Sequence, residues 1–291
     1  MNRMSRIIFI VGMPRGGTTL MRLCLNSLDG IFILPETQFM LKVYGKRRAF
    51  WASRFESLKS VLDTPYEAKT LDLSDQFLDS LEHESLETCF LSCMREASKD
   101  EPLEIVGEKD PVHTFFVREL LRWYPNSRII ALDREMAPVV ASFLKRIDLD
   151  SNLYGILARL VLTRKEMRKF KDLSGVLTVR YDKLIDSPED ELRRVCRFVG
   201  MPFDPKMLKP GRTSSYDESC GVGVKRDRSG ITKENSEKWR SVLSEKQISL
   251  IEEIDRGNPI TLFQTFLVPA FFIKYFRMKF CVWRAKFGVL K

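Results

Sequence analysis

Apolar residues recur along this chain with two periods, and the two alternate. Ile7, Ile8, Ile10 and Val11 form a short β-branched run that ends at Gly12, the pattern of a buried strand. From Thr18 and Thr19 onward the apolar positions fall at Leu20, Leu23, Cys24, Leu25 and Leu28, a helical spacing. Strand-like runs return at 105–111, 128–134 and 175–181. Helical stripes follow them at Phe116, Leu120 and Trp123, at Val139, Val140, Phe143 and Leu144, and at Leu192, Val195, Cys196 and Val199. A short extended piece at Ile31, Ile33 and Leu34 stops at Pro35. Strands alternating with helices predict an α/β protein with a central, mostly parallel sheet.

Local signals set the boundaries. Pro125-Asn126 closes one helix, and Pro138 falls in the first turn of another. Ser187-Pro188-Glu189-Asp190 reads as an N-cap, a proline at the first helical position and an acidic capping partner; Gly200-Met201-Pro202 ends that helix. Ser244 with Gln247 opens a helix backed by Ile248, Ile251 and Ile254. Residues 46–100 are polar, with faces at Leu58, Val61 and Leu62 and at Phe77, Leu78 and Leu81, and are expected to form a helical insertion over an acceptor pocket. The helical stretch Leu153–Phe170 carries many basic residues, expected on a solvated outer face. From about 209 to 239 Gly, Ser, Arg, Lys and Asp dominate, the composition of a loop or a ligand-gripping lid. One domain is expected over 1–258, with a separate tail over 259–291.

Between the first strand and helix lies GMPRGG, a phosphate-binding loop. Its glycines let backbone N–H groups approach an anion, and the helix N-terminus adds a favourable dipole. Gly12 and Gly17 have Walker A spacing and Thr19 stands at the Ser/Thr position, but Thr18 replaces the lysine. The positive charge sits instead at Arg15, which weakens the reading of an ATP- or GTP-hydrolysing site. The alternative is a glycine-rich turn without a ligand. The loop makes the expected fold P-loop NTPase-like, with the sheet flanked by helices.

A net charge of +9 and a pI near 9.2 suit an anionic ligand or an anionic membrane surface. No recognition motif for nucleic acid accompanies that charge, so nucleic acid is not expected as a partner. Six cysteines in 291 residues do not form a disulfide framework. Without CxxC, and with only His83 and His113 as histidines, no metal site is expected. No secretory apolar segment precedes the first strand, so a cytosol-facing chain is expected.

Open α/β sheets bind ligands beyond the carboxyl ends of their strands. Glu36 falls there and is a candidate acid or base; the alternative is a solvated loop carboxylate or a helix N-terminal charge. Lys109 and Asp110 lie at the turn after the strand near 105. Asp133 imitates a Walker B aspartate, with Arg134 beside it; Arg134, Ser142 and Arg146 can gather near that strand end. The tail has six basic residues and no acidic ones. Its uncharged stretch before Lys274 is shorter than the roughly 20 residues of a spanning helix, and Pro269 interrupts it. Two readings stand: a helix packed on the domain with a basic outer face, or, preferred, a segment in a membrane interface.

GMPRGGTTL, PET, EKDP, LDRE…VVASFLKR and VRYDKL…SPEDELRRVCRFVGMPFD occur in one order. Together they resemble sulfotransferases that use 3′-phosphoadenosine-5′-phosphosulfate (PAPS). The flavour is that of the Golgi protein-tyrosine sulfotransferases and their bacterial relatives, over roughly residues 5–205. The resemblance implies transfer of a sulfuryl group to an acceptor hydroxyl of a glycan, lipid, small metabolite or tyrosine. It implies that Arg15, Gly16, Gly17, Thr18 and Thr19 bind the 5′-phosphosulfate, and that Arg134 and Ser142, with Arg146 assisting, hold the 3′-phosphate. Tyr181 would line the nucleotide site, Glu36 would be the base, and Lys109 would stabilise the reacting group. Arg15 and Lys109 would meet charge on the bridging oxygen, with no metal required. Ser229 and Lys233 would correspond to a late nucleotide-gripping loop, although the spacing to Trp239 differs from that family. The frequent RDPR pattern here reads Arg134-Glu135-Met136-Ala137, leaving more of the 3′-phosphate charge to Arg134 and Arg146. The alternative function is a P-loop kinase or nucleotidase using ATP.

Overall fold

In the computed structural model the described residues are 6–37, 39–42, 73–81, 84–98, 103–144, 153–210, 231 and 239–287. The strands are β1 (Arg6–Gly12), β2 (Ile31–Leu34), β3 (Ile105–Lys109), β4 (Arg128–Asp133) and β5 (Val176–Arg180). They pair in the order β2-β3-β1-β4-β5, every neighbour parallel. The helices are α1 (Thr18–Leu25), α2 (Phe39–Lys42), α3 (Asp75–Ser80), α4 (Leu86–Glu96), α5 (Val117–Trp123), α6 (Met136–Leu144), α7 (Leu153–Phe170), α8 (Tyr181–Asp186), α9 (Pro188–Val199), α10 (Glu245–Arg256), α11 (Pro259–Phe266) and α12 (Pro269–Phe287).

The central strands read as continuous apolar runs because both faces of the sheet are covered. Alternation along each strand divides the core in two. Ile7, Phe9 and Val11 of β1, with Ile129 and Ala131 of β4, face one layer that includes α4, α6, α7 and α12. Ile8 and Ile10, with Ile130 and Leu132, face the other, built mainly from α1 and α9. Phe9 stacks on Phe90 of α4, and Phe90 on Phe39, with ring centroids 5.9 and 4.3 Å apart. The Leu86–Glu96 part of the expected insertion is therefore core on the sheet face. Leu58, Val61 and Leu62 lie outside the described residues.

Several boundaries follow local chemistry. Ser244 and Gln247 form the reciprocal capping box at α10. At α9 the expectation is corrected: Ser187 is the N-cap and Pro188 the first residue, but the Ser187 side chain makes no capping bond. Glu189 and Glu191 turn instead to Arg193 and Arg194. Tyr181 begins α8 rather than ending β5. α7 also departs from expectation, because Arg164 reaches inward to Asp133 and Asp255. No helix among the described residues is long and apolar enough to cross a membrane. Pro269 opens α12, whose Phe271 and Tyr275 lie in the main core.

Candidate active site

Register explains why residues far apart in sequence meet. β1 aligns Ile10 with Lys109 and Gly12 with Leu132, and β2 aligns Leu34 with Glu108. The carboxyl ends of five strands thus share one rim, which carries the phosphate loop, Glu36, Lys109, Arg134 and Tyr181.

The loop after β1 is held from three sides. The Gly12 N–H donates to Thr114 Oγ1 at 2.8 Å, the Met13 N–H to Leu132 O at 2.8 Å, and the Gly16 N–H to Met13 O at 2.9 Å. Gly12 has φ 118°, and a Cβ there would stand 2.1 Å from Leu132 O, so only glycine fits. Gly17, the N-cap of α1, has φ 95°, and a Cβ there would meet the Tyr181 ring at 2.4 Å. Arg15 is the one described non-glycine residue at positive φ, 62°, a conformation that costs energy and clusters at ligand sites. The loop leads into α1, whose first N–H groups have no intrahelical acceptor. Thr18 there is buried and Thr19 half-buried.

Arg134 closes this cradle. Its guanidinium lies 3.9 Å from the Tyr181 ring centroid and donates to Arg15 O at 3.2 Å. Arg15 Nε donates to Ser142 Oγ of α6 at 3.0 Å. Arg15, Arg134, Ser142, Tyr181 and Gly17 therefore form one contiguous surface. Burial lowers the pKa of Arg134, while Tyr181, Asp182 and Glu135 oppose the shift. Among the described residues no carboxylate is within ion-pairing distance of Arg134, and its buried Nε has no hydrogen-bond partner. A half-buried cation with no carboxylate in ion-pairing contact among the described residues suits a polyanionic ligand.

A brace behind Arg134 was not legible in the sequence. Arg164 donates to Arg134 O at 2.6 Å and pairs with Asp133 at 3.2 Å and with Asp255. Asp255 Oδ2 also accepts the Met136 N–H at 2.8 Å, at the start of α6. Asp133 is thus engaged by an arginine, which leaves it a poor Walker B metal ligand.

On the other side of the loop, Lys109 Nζ donates to Glu36 Oε1. The Lys109 side chain is 4% exposed and that of Glu36 33%, so the carboxylate is the reachable member of the pair. Arg159 of α7 adds a second cation. Burial lowers its pKa, and the charges of Glu36 and Asp110 oppose that shift. Its signal was present: Arg159 is the one charged residue in LYGILARLVLT. Arg146, Ser229 and Lys233 lie outside the described residues.

The Glu36 segment is tethered from beneath. Glu108 Oε1 accepts the Thr37 N–H at 2.6 Å. Glu108 Oε2 faces His113 Nδ1 at 3.5 Å, and His113 Nε2 faces Asp110 Oδ2 at 3.7 Å, all three side chains fully buried. Donor atoms of the three lie within 4.8 Å of one another. The carboxylates approach opposite nitrogens of one ring rather than converging on one point, and Glu108 Oε2 and both His113 ring nitrogens are buried without a hydrogen-bond partner among the described residues. Burial, reinforced by Asp110, raises Glu108 well above the usual carboxylate range, and burial pushes His113 down to about 3. Burial thus favours the neutral form of both Glu108 and His113. Folding raises the Glu108 pKa, so the stability Glu108 contributes is full below its unfolded pKa, about 4.5. It is lost as pH rises through the folded value. Gln cannot ionise and offers the same acceptor and donor. Glu108→Gln should melt near the wild type at pH about 4 and gain on it progressively as pH rises toward neutral. Glu108→Ala should lose about 1–3 kcal/mol at both. Thermal melts at the two pH values check this, and equal destabilisation by Gln and Ala would refute a neutral Glu108.

The fold and rim describe an α/β protein with an anion cradle at the carboxyl edge of its parallel sheet. The Sulfotransferase family model matches residues 7–205, and the chain belongs to that family. It is 24% identical over 215 residues to a putative protein-tyrosine sulfotransferase of Caenorhabditis briggsae, covering 72% of this chain and 70% of that protein. It is 28% identical over 227 residues to protein-tyrosine sulfotransferase 2 of Gallus gallus, covering 72% of this chain and 56% of that protein. The chain thus spans little more than half the length of the Gallus relative. Among solved structures, the sulfotransferase domain of the Synechococcus PCC 7002 olefin synthase aligns with TM-score 0.60 at 20% identity, covering 87% of this chain and 96% of that one. The sulfotransferase domain from the curacin biosynthetic pathway aligns with TM-score 0.58 at 20% identity, covering 87% and 98%. At such identity these two matches speak for the fold. The kinase or nucleotidase alternative gains no support from any of them.

Proposed function

We propose that this chain transfers the sulfuryl group of PAPS to an acceptor hydroxyl. The observation that carries the reading is the half-buried guanidinium of Arg134, without a carboxylate partner among the described residues, 3.9 Å from the Tyr181 ring and bonded to the carbonyl of Arg15. Arg134 and Ser142, assisted by Arg146, hold the 3′-phosphate, and Tyr181 lines the nucleotide. Arg15, Gly16, Gly17, Thr18 and Thr19 hold the 5′-phosphosulfate, and Ser229 and Lys233 belong to a late loop that grips the nucleotide. Glu36 takes the proton of the acceptor hydroxyl as its oxygen attacks sulfur in line. The bond from sulfur to the bridging phosphate oxygen breaks, and Arg15 and Lys109 meet the charge that oxygen acquires. Sulfuryl carries less charge than phosphoryl, so this chemistry asks for no metal ion.

The same reading takes 1–258 as the catalytic unit of a cytoplasmic protein. It takes 259–291 as a tail in peripheral contact with the inner face of a membrane, and the acceptor as glycan, lipid, small metabolite or tyrosine. Adenosine 3′,5′-bisphosphate should raise the melting temperature, and Mg-ATP at equal concentration should not. Ligand at 100-fold its dissociation constant adds about 2.7 kcal/mol. Arg134→Ala should weaken adenosine 3′,5′-bisphosphate by about 10- to 100-fold in calorimetry, the worth of a charge-assisted contact. Preference for Mg-ATP, or unchanged binding by that variant, would overturn the donor assignment.

A further inference from the structure

We infer that α12 docks flat on an anionic phospholipid bilayer through one defined stripe. Phe271, Tyr275 and the half-buried Met278 form the face that packs inward, against α7. Phe272, Ile273, Phe276, Phe280 and Trp283 are exposed, Ile273 at 63% and Phe280 at 56%. At 3.6 residues per turn these five share an arc about 100° wide, turned away from the packed stripe. Arg277 follows one edge of that arc and Lys279 the other, both exposed. Such a helix buries its aromatic stripe at the headgroup boundary while the flanking cations reach the phosphates.

Charge selects this occupant over the others. The chain from 256 to 291 contains no acidic residue. A second copy meeting this stripe about a two-fold axis would set Arg277 and Lys279 against their own equivalents with nothing to neutralise them. The cations in the helix also exclude a spanning orientation. α12 touches α2 as well as α7. α2 begins three residues after Glu36 and α7 carries Arg159, so docking would hold the acceptor side of the rim at the membrane. Docking rests on the peripheral contact proposed for the tail and is independent of the transfer chemistry.

Flotation of the full chain with vesicles tests it. The protein should float with phosphatidylglycerol–phosphatidylcholine vesicles. Recovery should fall at least about tenfold on phosphatidylcholine alone or in about 0.5 M salt, where surface charge is screened. The triple variant Phe276→Ser, Phe280→Ser, Trp283→Ser should lose flotation to the same extent with an unchanged melting temperature, since all three side chains are exposed. Arg277→Glu with Lys279→Glu should abolish the preference for anionic vesicles. Three outcomes would overturn the inference: no flotation of the parent, parent-like flotation of the triple variant, or a dimer of the parent that the triple variant converts to monomer. The adenosine 3′,5′-bisphosphate melting shift, measured on the same samples, reports the donor site separately.

Discussion

Glu36→Gln should reduce kcat by about 10²- to 10⁴-fold, the usual worth of a positioned general base. Adenosine 3′,5′-bisphosphate affinity should stay within about twofold, because Glu36 lies on the Lys109 side of the loop, away from the Arg134–Tyr181 surface. Gln has the shape of Glu and can still accept from Lys109 Nζ. Glu108 still holds the Thr37 N–H at 2.6 Å, so the segment keeps its place. What is lost is the capacity to take a proton. Steady-state transfer of labelled sulfate to an acceptor turned over by the wild type, with calorimetry of the bisphosphate, separates the two effects. A kcat within tenfold of wild type would remove Glu36 from the mechanism.

The second large effect belongs to Lys109. Lys109→Met preserves the buried aliphatic stem and deletes a cation whose side chain is only 4% exposed. A preorganised charge at a developing oxyanion is worth about 10²–10³ in kcat, and that loss is expected with little change in bisphosphate binding. The Glu36 side chain is one-third exposed, so water can solvate the carboxylate left behind and the fold should survive. Because Lys109 and Glu36 touch, their effects should not add: the double variant should be no slower than about threefold below the worse single variant. Full multiplicativity would mean that the two act at separate steps, against the shared geometry at the end of β2 and β3.

Much of the frame was legible because parallel strands covered on both faces leave an unmistakable trace. The Ile7–Val11 run and its counterparts near 105, 128 and 175 became β1, β3, β4 and β5. The loop chemistry was legible for a related reason. Gly12 and Gly17 stand where no Cβ fits, and such constraints are written at single positions. The Glu36 and Lys109 pair was within reach too, since Lys109 ends β3, Glu36 lies two residues past the end of β2, and parallel strands bring their ends to one rim.

The brace was hidden because it consists of contacts between distant segments. Arg164 looked like one more cation on a solvated helix. Only packing α7 beside β4 and α10 turns it toward Asp133 and Asp255. Glu108 and Asp110 sat in EKDP, with His113 two residues beyond it, and nothing in that stretch signalled their complete burial. Leu86–Glu96 read as part of an insertion because its spacing reports an apolar face without naming what covers it.

The sequence by itself determined the alternation of strand and helix, the lysine-free cradle and the basic aromatic tail, since each depends on residues adjacent in the chain. The tertiary structure alone decided the strand order β2-β3-β1-β4-β5, the meeting of Arg15 with Arg134 and Ser142, and which faces of α7 and α12 turn inward. Periodicity records that a side chain is buried, whereas the identity of its neighbour depends on how the whole chain packs.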